Sequence, residues 1–122
     1  DLQSILFGIT QAKGQINIEV TKPIELEELQ TIANESKTEI YNALLEIIDH
    51  RIHKNYKLFP NNYIAYDIAH NTTTYATHYT QQQKEAFMQT MKSQLANIEG
   101  NLQELEELYI GIYANPVVNY YK

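Results

Sequence analysis

The sequence predicts a mainly α-helical fold: a helical bundle of about four helices, with one short N-terminal β-strand left from a missing sheet. Three observations carry that prediction. Apolar residues recur at helical spacing over most of the chain after Pro23. Capping patterns that open helices stand at Ser36 to Glu39 and at Thr80 to Gln83. The 122 residues include only three prolines and four glycines, too few for a loop-dominated or all-β chain.

The elements follow in order. After an apolar start at Ile5, Leu6 and Phe7, the residues Ile16, Ile18 and Val20 alternate with Asn17, Glu19 and Thr21, the period of a half-buried strand over Gln15 to Thr21. A lone strand cannot satisfy its own backbone groups, so it requires a partner, and no second strand is readable nearby. Lys22-Pro23 ends it, because proline offers no amide to a ladder. Leu26, Leu29 and Ile32 then mark a short helix, with Glu25, Glu27 and Glu28 at its positive end. Ser36-Lys37-Thr38-Glu39 opens a long helix expected from about Lys37 to Tyr56.

Leu58-Phe59-Pro60-Asn61-Asn62 breaks that helix, since proline and asparagine favour turns. Tyr63 to Ala69 adds one or two helical turns before a polar loop from Asn71 to Thr74. The pattern at Thr80 to Gln83 opens a helix striped by Phe87, Met91, Leu95 and Ile98, with Gly100 as its C-terminal cap. Asn101 caps the last helix, whose stripe is Leu102, Leu105, Leu108, Tyr109 and Ile112, and Asn115-Pro116 is expected to stop it. The short joint at Gly100 makes these two helices antiparallel neighbours.

Composition excludes several function classes. Without cysteine there is no disulfide framework, thiolate metal site or cysteine nucleophile. A formal charge of −6 with nine scattered Lys and Arg argues against nucleic acid and against an anionic membrane surface. No apolar run approaches the roughly 18 residues of a membrane span, and Asp1-Leu2-Gln3-Ser4 lacks the layout of a signal peptide. A cytoplasmic location is expected.

Two constellations suggest chemistry. Glu46, Asp49, His50 and His53 recur at i, i+3, i+4 and i+7 on one face of the long helix, a weak candidate metal site. At roughly 100° per residue that face points away from the apolar side formed by Tyr41, Leu44, Leu45, Ile47, Ile48 and Ile52, so a solvated face explains it equally and no metal is expected. His70 and His78 flank the Thr-rich loop, where a histidine base beside a hydroxyl is conceivable but no third group is assigned. Tyrosine supplies ten of the thirteen aromatics, and Tyr56, Tyr63, Tyr66, Tyr75 and Tyr79 crowd one stretch. Within it Asn61, Asn62, Tyr63, Tyr66 and Asp67 form the candidate binding surface, set against plain packing under a loop.

Three segments carry a resemblance. They are Gly14-Gln15-Ile16-Asn17-Ile18-Glu19-Val20-Thr21-Lys22-Pro23-Ile24, Asn55-Tyr56-Lys57-Leu58-Phe59-Pro60-Asn61-Asn62-Tyr63-Ile64-Ala65-Tyr66-Asp67, and Tyr113-Ala114-Asn115-Pro116-Val117. Together they resemble bacterial glycerol-phosphate and lysophospholipid acyltransferases with a helical C-terminal extension. The first is similar to a late strand of that family's catalytic domain, and the other two look like extension signatures. The resemblance implies a parent enzyme that moves an acyl group from an acyl thioester to a glycerol-phosphate-type hydroxyl, with the parent at the inner face of the membrane.

It also implies a catalytic His with an Asp five positions later and a Glu-Gly element gripping phosphate. The residues five after His50, His53, His70 and His78 are Asn55, Leu58, Tyr75 and Gln83, and Glu99-Gly100 lacks the family's surroundings. No catalytic residue is therefore carried over, and no cofactor is expected. Residues 1–24 read as the edge of a missing catalytic domain and 25–122 as a helical C-terminal domain, with the remainder of a larger chain as the main partner. The alternative is a freestanding helical module that binds a protein or a ligand.

Overall fold

A computed structural model describes residues 2–10 and 14–122. Among them the chain is mainly helical and contains no strand. The helices are α1 (Leu2–Thr10), α2 (Leu26–Ile32), α3 (Lys37–Asn55), α4 (Pro60–Ala69), α5 (Gln81–Leu95) and α6 (Leu102–Tyr121), with a 3-10 turn at Ala76–His78. That is more than the expected four, because α1 and α4 both form from stretches whose sequence signal is short.

Local chemistry explains the boundaries. At the start of α3 the Ser36 hydroxyl accepts from the Glu39 amide and the Glu39 carboxylate accepts from the Ser36 amide, so two orphan donors are satisfied at once. Thr80 and Gln83 make the same exchange at α5. Asn101 accepts from the amides of Gln103 and Glu104 at α6. Pro60 opens α4 at a position where its missing N–H costs nothing.

Among the described residues the core is small and lies in the second half of the chain. Ile64 and Ala65 of α4, Phe87, Met91 and Leu95 of α5, and Ala114 and Val117 of α6 are the buried apolar residues. α4 and α6 share the largest interface, and α5 packs against both, the Phe87 ring meeting Tyr113 edge-on at 5.3 Å. α3 has no buried residue. It reaches the core unit at its last turns, where Lys54 Nζ donates to the Tyr120 carbonyl at 2.6 Å. α2 is attached to α3, with Arg51 bridging the Glu28 carboxylate and the Lys22 carbonyl. α1 contacts no other helix among the described residues.

Three expectations are corrected. The strand over Gln15 to Thr21 does not form: the segment carries no regular structure, and Ile16, Ile18 and Val20 stay 70%, 84% and 92% exposed. A strand exists only through its ladder, and no other described segment offers one. Gly100 does not cap α5, which ends at Leu95 with Ala96 as its cap, leaving Gly100 in the loop before α6.

Asn115-Pro116 does not stop α6, which runs through it to Tyr121. Proline there removes the bond to the Ile112 carbonyl and disturbs the turn around it. Ile112 is exposed, so water can reach that carbonyl, and the neighbouring Tyr113 carbonyl accepts from Asn62 Nδ2 at 2.9 Å.

Candidate functional site

The candidate surface is built on α4, whose residues divide between two faces. Asn62, Ile64, Ala65 and Asp67 turn inward and are buried, whereas Tyr63, Tyr66 and His70, at i, i+3 and i+7, make an outer aromatic face. The five expected site residues are thus separated. Asn61 is exposed, Tyr63 and Tyr66 are half-buried, and Asn62 and Asp67 belong to the interior beneath them.

Asn62 is a brace. Its Oδ1 accepts from the Phe59 amide at 2.8 Å, closing the start of α4, while its Nδ2 holds the Tyr113 carbonyl of α6. Every hydrogen-bonding direction that matters in this interior position is used.

Asp67 is the anchor of the loop that follows. Only 1% exposed, it accepts from the Thr72 hydroxyl at 3.0 Å, from the Tyr75 amide at 3.1 and 3.2 Å, and from the Tyr79 hydroxyl at 2.8 Å. A buried carboxylate is tolerated only when it is so satisfied. Burial first, and then the bond to Asp67, push the Tyr79 phenol above its ordinary value.

Fixing the Tyr75 backbone fixes its ring at the centre of an aromatic cluster. The ring lies 5.2 Å from Tyr63, 5.1 Å from Tyr66 and 5.5 Å from Tyr121. His78 stacks on Tyr63 at 4.2 Å and His70 on Tyr66 at 4.1 Å, each pair 20° from parallel. Burial, followed by the hydrogen bond and charge of Tyr121, pushes the Tyr63 phenol up to about 12. Burial raises Tyr75 as well, with Tyr121 next in effect.

Beside this cluster a groove of about 390 Å³ is lined by Lys54, Tyr56, Lys57, Tyr63, Tyr120 and Tyr121, together with Glu19 of the segment before α2. Lys54 is spent on the C-terminal carbonyl of α6, where a cation complements the helix dipole, and its ammonium also lies 5.7 Å from the Tyr120 ring. The groove offers phenols, two ammonium groups and aromatic faces, which suit recognition. An adjoining hollow of about 220 Å³ lies between Asn17, Glu19 and Thr21 and the residues Ile52, Tyr56 and Phe59.

Neither chemical constellation converges on a reacting centre. His70 Nδ1 faces the Tyr66 carbonyl at 3.0 Å, the Thr72 hydroxyl serves Asp67, and no described histidine meets a hydroxyl. Among the described residues no three His, Asp or Glu side chains are placed to hold a metal ion, Glu46, Asp49, His50 and His53 included. Tyr120, Tyr121 and Lys54 complete the groove and have no local sequence signal, since they come from the ends of helices far apart in the chain.

Comparison with protein-family models, with characterised proteins and with solved structures gives no match.

Proposed function

We propose that this chain is the non-catalytic, helical C-terminal domain of a glycerol-phosphate or lysophospholipid O-acyltransferase-like protein. In this role the α4–α5–α6 unit is a stable base, and the elements before it dock on the remainder of a larger chain. The observation that carries the reading is where the two extension signatures meet. The 55–67 and 113–117 segments, 46 residues apart at their nearest ends (113 − 67), are joined by the Asn62–Tyr113 bond across the α4–α6 interface. Two motifs with one resemblance therefore serve one piece of architecture. Exposed Leu26, Leu29, Leu45, Ile48 and Ile52 supply apolar surface for the docking.

The test is an acyl-transfer assay on the longer protein, using an acyl thioester and a glycerol-phosphate acceptor. Transfer is expected with the longer protein and lost when residues 26–122 are deleted, while the 122-residue chain alone transfers nothing. A longer reading frame without a His and an Asp five apart upstream of Asp1 overturns the proposal.

A second reading is an interaction module that binds a partner helix. Tyr41, Leu45, Ile48 and Ile52 follow one another at spacings of four, three and four along α3, all exposed, which is the seam a second helix packs into. A binding partner for the isolated chain that is released by charged substitutions in this seam would favour it.

A further inference from the structure

We infer that residues 15–21 form an edge-to-edge antiparallel pair with the same residues of a second copy of this chain, about a two-fold axis at Ile18. Among the described residues no backbone amide or carbonyl of 15–21 is hydrogen-bonded, although the segment is free of helix and carries an alternating pattern. Its orientation is also defined. The polar side chains Asn17, Glu19 and Thr21 line the hollow against Ile52, Tyr56 and Phe59, which leaves Ile16, Ile18 and Val20 facing outward. The unpaired backbone edge and the apolar face therefore both await material from outside this copy.

The sequence of the segment is complementary to itself in the antiparallel sense. With Ile18 opposite its own counterpart, Ile16 faces Val20 of the second copy, and Asn17 faces Glu19 of the second copy. Asn17 Nδ2 already donates to Glu19 Oε1 within the chain at 2.9 Å, and the same bond forms across the pair. The neighbouring registers are worse: centring on Glu19 sets two carboxylates opposite each other, and centring on Asn17 sets Val20 against Gly14. A two-stranded ribbon needs a layer over its apolar face. α1 precedes the segment, exposes Leu2, Ile5, Leu6 and Ile9, and has no helix neighbour among the described residues, so it suits that place.

This goes beyond the docking reading and is compatible with it, because a strand has two edges and a sheet in a larger chain would occupy only one.

The absence of cysteine makes the test clean. Residues facing each other across an antiparallel pair have Cβ atoms about 4.5–5.5 Å apart, near enough for a disulfide after a small shift. The Ile18→Cys chain is expected to form a disulfide-linked dimer in a glutathione redox buffer. Val20→Cys is expected to link at least tenfold more slowly, since in this register the two copies of residue 20 sit four residues, about 13 Å, apart. Sedimentation equilibrium of the unmodified chain should show a concentration-dependent dimer that Ile18→Lys returns to monomer, with helical circular dichroism unchanged because residue 18 lies outside every helix. A monomer at all accessible concentrations overturns the inference. So does a dimer indifferent to Ile18→Lys, or equal cross-linking at positions 18 and 20.

Discussion

The two halves of the molecule have similar helical patterns and opposite fates. Among the described residues, every buried one, apolar and polar alike, lies between Asn62 and Val117, and none lies between Leu2 and Tyr56. Both halves have capped helices with apolar stripes. What separates them is how completely a stripe is covered: α4, α5 and α6 close on one another through Ile64, Ala65, Phe87 and Ala114, while Ile40, Ala43, Leu44 and Ile47 of α3 are only half-buried. Amphipathicity specifies that a face will be covered and leaves open by what.

The sharpest way to break this contrast is truncation on either side of it. Ile64→Ala removes a fully buried side chain from the smallest of cores and should cost about 4 kcal/mol in urea unfolding. A loss below about 1 kcal/mol would mean the C-terminal core is not the seat of stability. Asp67→Ala should follow closely, costing about 3 kcal/mol, because the Tyr75 amide and the Tyr79 hydroxyl lose their buried acceptor. Its distinguishing sign is optical: Tyr75 is released from the aromatic cluster, so near-ultraviolet circular dichroism should fall more than for Ile64→Ala at matched stability.

Asn62→Asp comes next and sharpens the account of how the C-terminal half is closed. The substitution keeps the acceptor for the Phe59 amide and replaces the donor to the Tyr113 carbonyl with a second oxygen. A cost of about 2 kcal/mol is expected, the penalty for facing two acceptors in a buried site. If the brace is also what lets α6 pass Pro116, amide exchange of Val117 to Tyr121 should accelerate well before that of α5.

These residues also show what was legible in the sequence. The capping boxes at Ser36 and Thr80 and the helices they open could be read because cap and first turn are three residues apart. The passage of α6 through Pro116 could not, since the interior contacts around it, such as the bond from Asn62 to the Tyr113 carbonyl, come from 51 residues away. The alternation at 15–21 is present, yet it marks a strand only where a ladder exists, and none of the described residues supplies one. Tyr63 and Tyr66, read as part of a candidate binding surface, lie half-buried in an aromatic cluster with Tyr75. Asp67 was grouped with them, although an acid inside the apolar run from Ile64 to Ala69, followed by Thr72 and Tyr75, is the pattern of a buried loop anchor.

The halves should also respond to opposite ends of the pH scale. In the C-terminal half Tyr63, Tyr75 and Tyr79 are raised above the ordinary phenol value, so folding favours the neutral form. That contribution is complete below about pH 10 and is lost as pH rises toward about 12, where Tyr63 titrates in the folded chain. In the N-terminal half Glu28 is lowered chiefly by the Glu25 amide and then by Arg51, and Glu39 by Ser36. Their contribution is present above the ordinary carboxyl value of 4.5 and lost as pH falls below it. Alkali should therefore act on the C-terminal half, while acid below about pH 4.5 should weaken the starts of α2 and α3, a difference visible in residue-resolved NMR titrations.

The smallest expected effect is the most decisive for the contrast. Leu45→Ser in the middle of the α3 seam should change the stability of the isolated chain by less than about 0.5 kcal/mol, because that residue is already 57% exposed. The same change in the longer protein, or in the presence of a bound partner, should cost about 2 kcal/mol, the value of covering such a side chain. A large loss in the isolated chain would mean the seam is covered within this chain in solution, and the division between a packed half and a waiting half would fail. A small loss in both settings would mean that α3 docks by another face. The exposed residues Glu46, Asp49 and His50 on another side of the helix would then be the ones to mutate next.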